Sequence, residues 1–291
     1  LIQNKRGDDP DFINTAWTLQ VIRGAILSLA TMALAPFAAD FYDEPMLAQI
    51  LPVAGLSALI AGFTPTRTIT ANRHLTLGRQ TVIALGTQVV NLTITALLAW
   101  VLQSVWGLVF GILAGGVLRN ISIRVFMPGL PNRFAWDRDA ARELIGFGKF
   151  IFISTLAGFL INQGDRALLG KYIELEMLGV YTIALTLASV PSQMIRRLGW
   201  KIVFPLYSQR RPHENARDRQ KIFQARFMLT GGAFALSLIL VLAGEPLVRL
   251  LYDARYHEAG AITVLITLGF LPTIIIVSYD FILLANSRSD V

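Results

Sequence analysis

Long stretches free of Asp, Glu, Lys and Arg dominate the chain: 24–39, 45–66, 80–118, 150–164, 177–195, 227–244 and 259–279. A helix crossing about 30 Å of hydrocarbon needs roughly 20 mainly apolar residues, so most of these stretches have the length of a membrane span. The third holds 39 residues. As one helix it would extend about 58 Å, nearly twice the hydrocarbon thickness, so it has to fold back. The expected break is Gln103-Ser104, flanked by Trp100 and Trp106 as interfacial aromatics would flank it. The pattern predicts eight spans, at 14–38, 46–66, 80–102, 105–126, 147–169, 177–200, 224–243 and 259–284. Continuous runs of this kind exclude an outer-membrane barrel, whose strands alternate over short segments. The expected fold class is all-α, a polytopic membrane protein.

Composition agrees. Of 291 residues 54% are hydrophobic and 15% charged, against about 25% charge in soluble domains, and the mean hydropathy is +0.55. The absence of cysteine rules out disulfides, thiolate metal sites and cysteine nucleophiles, and His74, His213 and His257 are too scattered in sequence for a histidine metal cluster. No metal or cofactor is expected. The chain opens on Leu1, and LIQNKRGDDPDF has no apolar leader, so the sequence reads as a piece of a longer protein.

Threading the eight spans alternately puts 20 of the 26 Lys and Arg residues on one side, including Arg67, Arg124, Arg133 and the run from Arg196 to Arg226. By the positive-inside rule that side is cytoplasmic, and both ends of the chain lie there, in a bacterial inner membrane. A net charge of +7 raises nucleic-acid binding as a function. The basic residues come in short clusters between spans, which topogenic charge explains, so no nucleic-acid partner is expected.

An internal repeat is visible. ALAPFAADFYDEPMLAQILPVAGLSALIAGF from Ala33 and VLAGEPLVRLLYDARYHEAGAITVLITLGFL from Val241 align Tyr42-Asp43 with Tyr252-Asp253, and the exit motifs align Ala71-Asn72 with Ala285-Asn286. Six spans separate the copies, so they enter the membrane in the same direction and imply two lobes. The expected division is an N-lobe at 1–126, a cytoplasmic amphipathic linker at 127–146 with interfacial Phe134 and Trp136, and a C-lobe at 147–291. The loop 206–222 is too short to hold a catalytic domain.

A charge at bilayer depth costs about 2.5 kcal/mol or more, so each needs a partner, a route to the interface or a wet cavity. Arg23 lies in the first span with Gln20 on the same face; it can offer a planar fork to a phosphate or snorkel to the interface. Asn162, Asp165 and Arg166 in the fifth span share a helix face at i, i+3 and i+4 and form the strongest polar constellation. Asp280 in the last span is a candidate for proton or cation coupling. Gln88 and Asn91, Arg119 and Asn120, and Ser189, Ser192 and Gln193 are weaker polar faces, of the kind that makes helix–helix hydrogen bonds. Gly107, Gly111 and Gly115 form a close-packing stripe, and Pro52, Pro191 and Pro272 interrupt spans.

KRGDDPDFINTAWTLQVIRG, the order N-x-x-D-R-x-x-x-G from Asn162 to Gly170 followed by L-G-x-Y from Leu178 to Tyr181, and the later P-S-Q and V-F-P-L-Y-S resemble the Wzx-like polysaccharide flippases of the multidrug/oligosaccharidyl-lipid/polysaccharide (MOP) superfamily. The resemblance covers the whole chain. It implies a MATE-like bundle of two six-helix lobes, in which the eight spans are family helices three to ten. It implies further that the complete protein carries a polyprenyl-diphosphate-linked oligosaccharide across the inner membrane for exopolysaccharide or lipopolysaccharide synthesis. Transport would proceed by alternating access, coupled to a proton or sodium gradient, with membrane lipids and polysaccharide assembly proteins as partners. On this reading Arg23 and Arg119 hold the diphosphate, Asn162, Asp165, Arg166 and Gln193 contact sugar or gate the passage, and no residue is catalytic. The alternative is a drug/cation antiporter of the same superfamily, whose cavity would be lined with acids rather than arginines. A membrane glycosyltransferase would need paired carboxylates or a metal site on a substantial loop, and the loops are short.

Overall fold

The computed structural model describes residues 9–68, 77–209 and 216–285. Helix follows helix, with no strand among the described residues: α1 (Pro10–Tyr42), α2 (Met46–Gly62), α3 (Leu77–Leu102), α4 (Val105–Phe126), α5 (Arg138–Tyr172), α6 (Leu175–Ala188), α7 (Val190–Gln209), α8 (Ala216–Leu251), a 3-10 turn (Ala254–Tyr256) and α9 (Ala259–Ala285). Six helices are long and apolar enough to cross a membrane, and a seventh span results if α6 and the start of α7, bent by 41°, count as one. The protein is therefore an all-α, multi-pass membrane protein. Its span count differs from eight because of two local features. The 17 residues of α2 extend about 25 Å, short of the hydrocarbon thickness. The apolar run 177–200 is broken at Ser189, where buried Pro191 in the first turn of α7 removes a backbone donor.

The break in the 39-residue run falls where expected. α3 ends at Leu102, Gln103 takes a left-handed φ of 45°, and the Ser104 side chain caps α4 by accepting from the Trp106 N–H.

The chain divides into two compact units, 1–164 and 165–291. In the first, α1 is capped by Asp9, whose carboxylate accepts from the Asp11 N–H at 3.1 Å, with Pro10 in the first turn. α1 and α2 form a hairpin that closes on glycine: a Cβ on Gly24 would stand 2.6 Å from the Ala58 carbonyl oxygen and 3.1 Å from the Gly62 Cα. α2 also packs on α4, where the Asn120 amide donates to the Ile60 carbonyl at 2.6 Å. α4 returns along α3 through the glycine stripe, with Gly107 against Ala99, Gly111 against Thr95 and Gly115 against Asn91. In lipid, where tails are as apolar as side chains, such close approach supplies the dispersion that holds helices together.

Beyond α4 the backbone runs extended over the start of α1. Alternate N–H groups of Arg133, Ala135 and Asp137 donate to Asn14 Oδ1, Thr18 Oγ1 and Thr15 Oγ1 at 3.0, 3.2 and 3.0 Å. The charged stretch Asp137–Glu143 then forms the cap and opening turns of α5, with the Asp137 carboxylate accepting from the Asp139 N–H at 2.9 Å.

In the second unit α9 packs against α6, α7 and α8. Ile195, Ala233, Ile274 and Val277 make one core cluster, and Val180, Ala184, Val248 and Ala259 another. The buried hydroxyls of Ser237, Thr263 and Thr267 are satisfied within their own helices by the carbonyls four residues back. The two copies of the repeat fold alike: each is a helix, a short turn and a packed return helix, and Pro36 and Pro246 lie inside α1 and α8 at matching distances before Tyr42 and Tyr252. The exit motifs at 71–72 and 286, and also Arg73, His74 and His213, lie outside the described residues.

The glycine seams give opposite signs for one substitution. A Cβ at Gly107 would stand 2.8 Å from the Ala99 backbone, whereas one at Gly86 meets nothing within 4 Å. Gly107→Ala is expected to lower the melting temperature of the detergent-solubilised protein. Gly86→Ala is expected to leave it unchanged or raise it, by the roughly 0.5–1 kcal/mol that alanine gains over glycine in a helix. Scanning fluorimetry of the two variants reads both signs.

Candidate functional site

The last turn of α2 sets the height of two arginines. Gly24 packs on Ala58 and Gly62, so its neighbour Arg23 stands level with that turn; Asn120 reaches Ile60, so its neighbour Arg119 stands there too. Both guanidiniums are exposed on their helices, and neither makes a hydrogen bond or ion pair among the described residues. The sequence offered no link between positions 23 and 119, whose neighbours Gly24 and Asn120 both contact α2.

The other polar groups at this end have structural duties. Gln20, expected beside Arg23 as part of a polar face, instead donates its amide to the carbonyls of Ala61, Gly62 and Thr64 at 3.2, 3.0 and 3.2 Å, closing the end of α2. Arg67 closes α4: its Nη1 donates to the Arg124 and Met127 carbonyls at 2.6 and 2.9 Å, and its Nε to Leu130 at 3.4 Å. The chain makes this approach at Gly129, whose φ of 145° excludes other residues and on which a Cβ would stand 2.9 Å from the Arg67 Cγ.

In the second unit Asp165 accepts a hydrogen bond from the Tyr181 hydroxyl at 2.7 Å, its other carboxylate oxygen buried without a donor. The bond joins the two halves of the motif, α5 and α6, which the tight turn at Ile173-Glu174 folds back on each other. Arg166 lies half-buried beside it and is itself engaged. Tyr181 was legible only as a motif letter; its role as donor to Asp165 depends on the turn. Asn162 is exposed on α5 and donates to its own helix at the Gly158 carbonyl. Gln193 is exposed at the start of α7 and donates to Ser189 Oγ at 2.8 Å, across the break between α6 and α7. Asp280 falls on α9, and its side chain lies outside those described. Among the described residues no group of three His, Cys, Asp or Glu is arranged to hold a metal ion.

Tyr181→Phe removes the one donor on the Asp165 carboxylate and should destabilise the protein by about 1–3 kcal/mol. Made in an Asp165→Asn background, where no charge is left buried, the same change should cost markedly less. Thermal unfolding of the four proteins in the cycle measures this coupling, and additive effects would mean that the two residues act independently.

Three relatives place this geometry among known proteins. The chain is 20% identical over 279 residues to the teichuronic acid biosynthesis protein TuaB of Bacillus subtilis, covering 96% of this chain and 58% of the relative. It is 22% identical to the amylovoran biosynthesis protein AmsL of Erwinia amylovora, over 88% of this chain and 66% of the relative. It is 21% identical to the succinoglycan biosynthesis transport protein ExoT of Rhizobium meliloti, over 68% of this chain and 40% of the relative. The chain thus spans about half to two-thirds of the length of the first two. No solved structure matches it significantly. The relatives' names speak of polysaccharide biosynthesis and transport, and the matching family model, described as polysaccharide biosynthesis protein, covers residues 1–261. The chain belongs to that family of polysaccharide biosynthesis proteins.

Proposed function

We propose that this chain is the helical core of a flippase, a transporter and not an enzyme, that carries a polyprenyl-diphosphate-linked oligosaccharide from the cytoplasmic to the outer leaflet of the inner membrane. The observation that carries the reading is the pair Arg23 and Arg119, two guanidiniums without a partner among the described residues, each next to a residue that contacts the last turn of α2. A diphosphate anchored by a lipid tail lies at head-group depth, and a guanidinium is the side chain whose planar donor fork matches it. The family and the relatives' names support a polysaccharide cargo.

Transport follows by alternating access of two helical lobes, the N-lobe before the linker at 127–146 and the C-lobe after it. Arg23 and Arg119 hold the diphosphate. Asn162, Asp165 and Arg166 serve the glycan: Arg166 supplies donors to sugar hydroxyls, and the hydrogen bond from Tyr181 fixes the Asp165 carboxylate. Gln193 acts at the bend between α6 and α7, where its bond to Ser189 spans the break. Asp280 is assigned to coupling with a proton or sodium gradient.

In the natural host, Arg23→Gln and Arg119→Gln are expected to lower polymer export about tenfold or more each at unchanged protein level, the loss of a charge-assisted hydrogen bond worth about 1.5–3 kcal/mol. Lipid-linked oligosaccharide should accumulate on the cytoplasmic leaflet, and Arg→Lys variants should keep part of the activity. Full export by both glutamine variants would remove the phosphate role.

A further inference from the structure

A second cationic site lies further toward the start of α1, apart from Arg23 and Arg119. The ends of α2 and α4, the first turns of α1 and the extended segment after α4 enclose a cavity of about 420 Å³. Trp17, Phe63 and Phe134 line it on the apolar side, and Arg67, Arg124 and Asn132 on the polar side. No carboxylate is among its lining residues. The aromatic side is built: Trp17 is 4% exposed and packs against Phe63 and Phe134 with ring centroids 6.0 and 4.8 Å away. Its indole N–H is buried without an acceptor among the described residues.

The cations also have capacity to spare. Arg67 spends Nη1 and Nε on carbonyls, so its Nη2 donors are uncommitted among the described residues. Arg124 is exposed in the last turn of α4 without a partner among the described residues. The C-terminal ends of two helices bring about half a negative charge each, which two guanidiniums outweigh. Asn132 is committed, bonded through its amide to the Thr66 hydroxyl at 2.6 Å and through its carbonyl to the Thr66 N–H at 3.1 Å, and holds the wall in place. Among the lining residues Phe134 is 66% exposed, an apolar edge on a cationic pocket.

We propose that this cavity binds the phosphate head group of an anionic membrane phospholipid, with Arg124 and the free edge of Arg67 as donors and exposed Phe134 against the first methylenes of the tail. A free anion would gain nothing from that ring. A zwitterionic lipid would bring an ammonium toward two arginines. The site stands on its own residues and does not depend on the transport reading.

The test is equilibrium lipid binding to the purified full-length protein in nanodiscs, read by displacement of a spin-labelled phosphatidylglycerol. Phosphatidylglycerol should compete at least tenfold better than phosphatidylcholine. Arg124→Gln should remove most of that preference, and Arg124→Lys should keep part of it. Arg142→Gln, at an exposed arginine outside the lining that pairs with Asp139 at 3.9 Å, should leave the preference unchanged and so separates the pocket from general surface charge. Displacement by millimolar inorganic phosphate would overturn the proposal in favour of a free-anion site. Tighter binding of polyprenyl phosphate than of phosphatidylglycerol would reassign the cavity to the carrier lipid. An undiminished preference in Arg124→Gln would overturn it outright.

Discussion

A chain in hydrocarbon has no water to complete its polar groups, so each donor and acceptor there must be answered by the protein itself. The ends of helices are where this requirement presses hardest, because the last carbonyls have no partner within the helix. In the first unit two side chains answer it. Gln20 reaches across from α1 to the last carbonyls of α2, and Arg67 from beyond α2 to those of α4. These long-range caps fix which helix ends lie together, and they build one face of the cavity that Trp17 and Arg124 line.

Packing between the helices then depends on closeness and not on apolar bulk. Gly24 and Gly62 let α1 meet α2, and Gly107, Gly111 and Gly115 let α4 meet α3. A glycine seam fixes height as well as distance, since a backbone-to-backbone contact tolerates little sliding. The common level of Arg23 and Arg119 is a consequence: each is next in sequence to a residue locked on the last turn of α2.

Much of the helical plan was legible because it is written locally. Charge-free runs mark the spans, a run too long for a bilayer demands a break, and Gln103-Ser104 offers turn residues between two tryptophans. The glycine stripe reads as a seam from its spacing alone. The count of charge-free residues carried α2 on to Thr66, but Pro65, three residues beyond Gly62, is the local sign of its end. What remained illegible depends on contacts distant in sequence. Nothing local says that Gln20 serves a neighbouring helix or that Tyr181 bonds Asp165. Arg67 read as one topogenic charge among many, and its role as a cap appears only when α4 is brought beside it.

The same accounting separates structural polar groups from available ones. Gln20, Asn120, Asn162 and Gln193 end their amides on backbone carbonyls or a serine hydroxyl, each within one or two helices, and so complete the scaffold. Arg23, Arg119 and Arg124 have no such partner among the described residues, although an arginine is the most demanding donor of the set, with five N–H groups to satisfy. Two of them stand level with the last turn of α2 and the third a turn and a half further along α4. Water or head-group phosphate at the membrane boundary can complete a guanidinium; hydrocarbon cannot. These open donors, beside amides that are spent on the scaffold, are what the proposed anionic-lipid and diphosphate sites rest on.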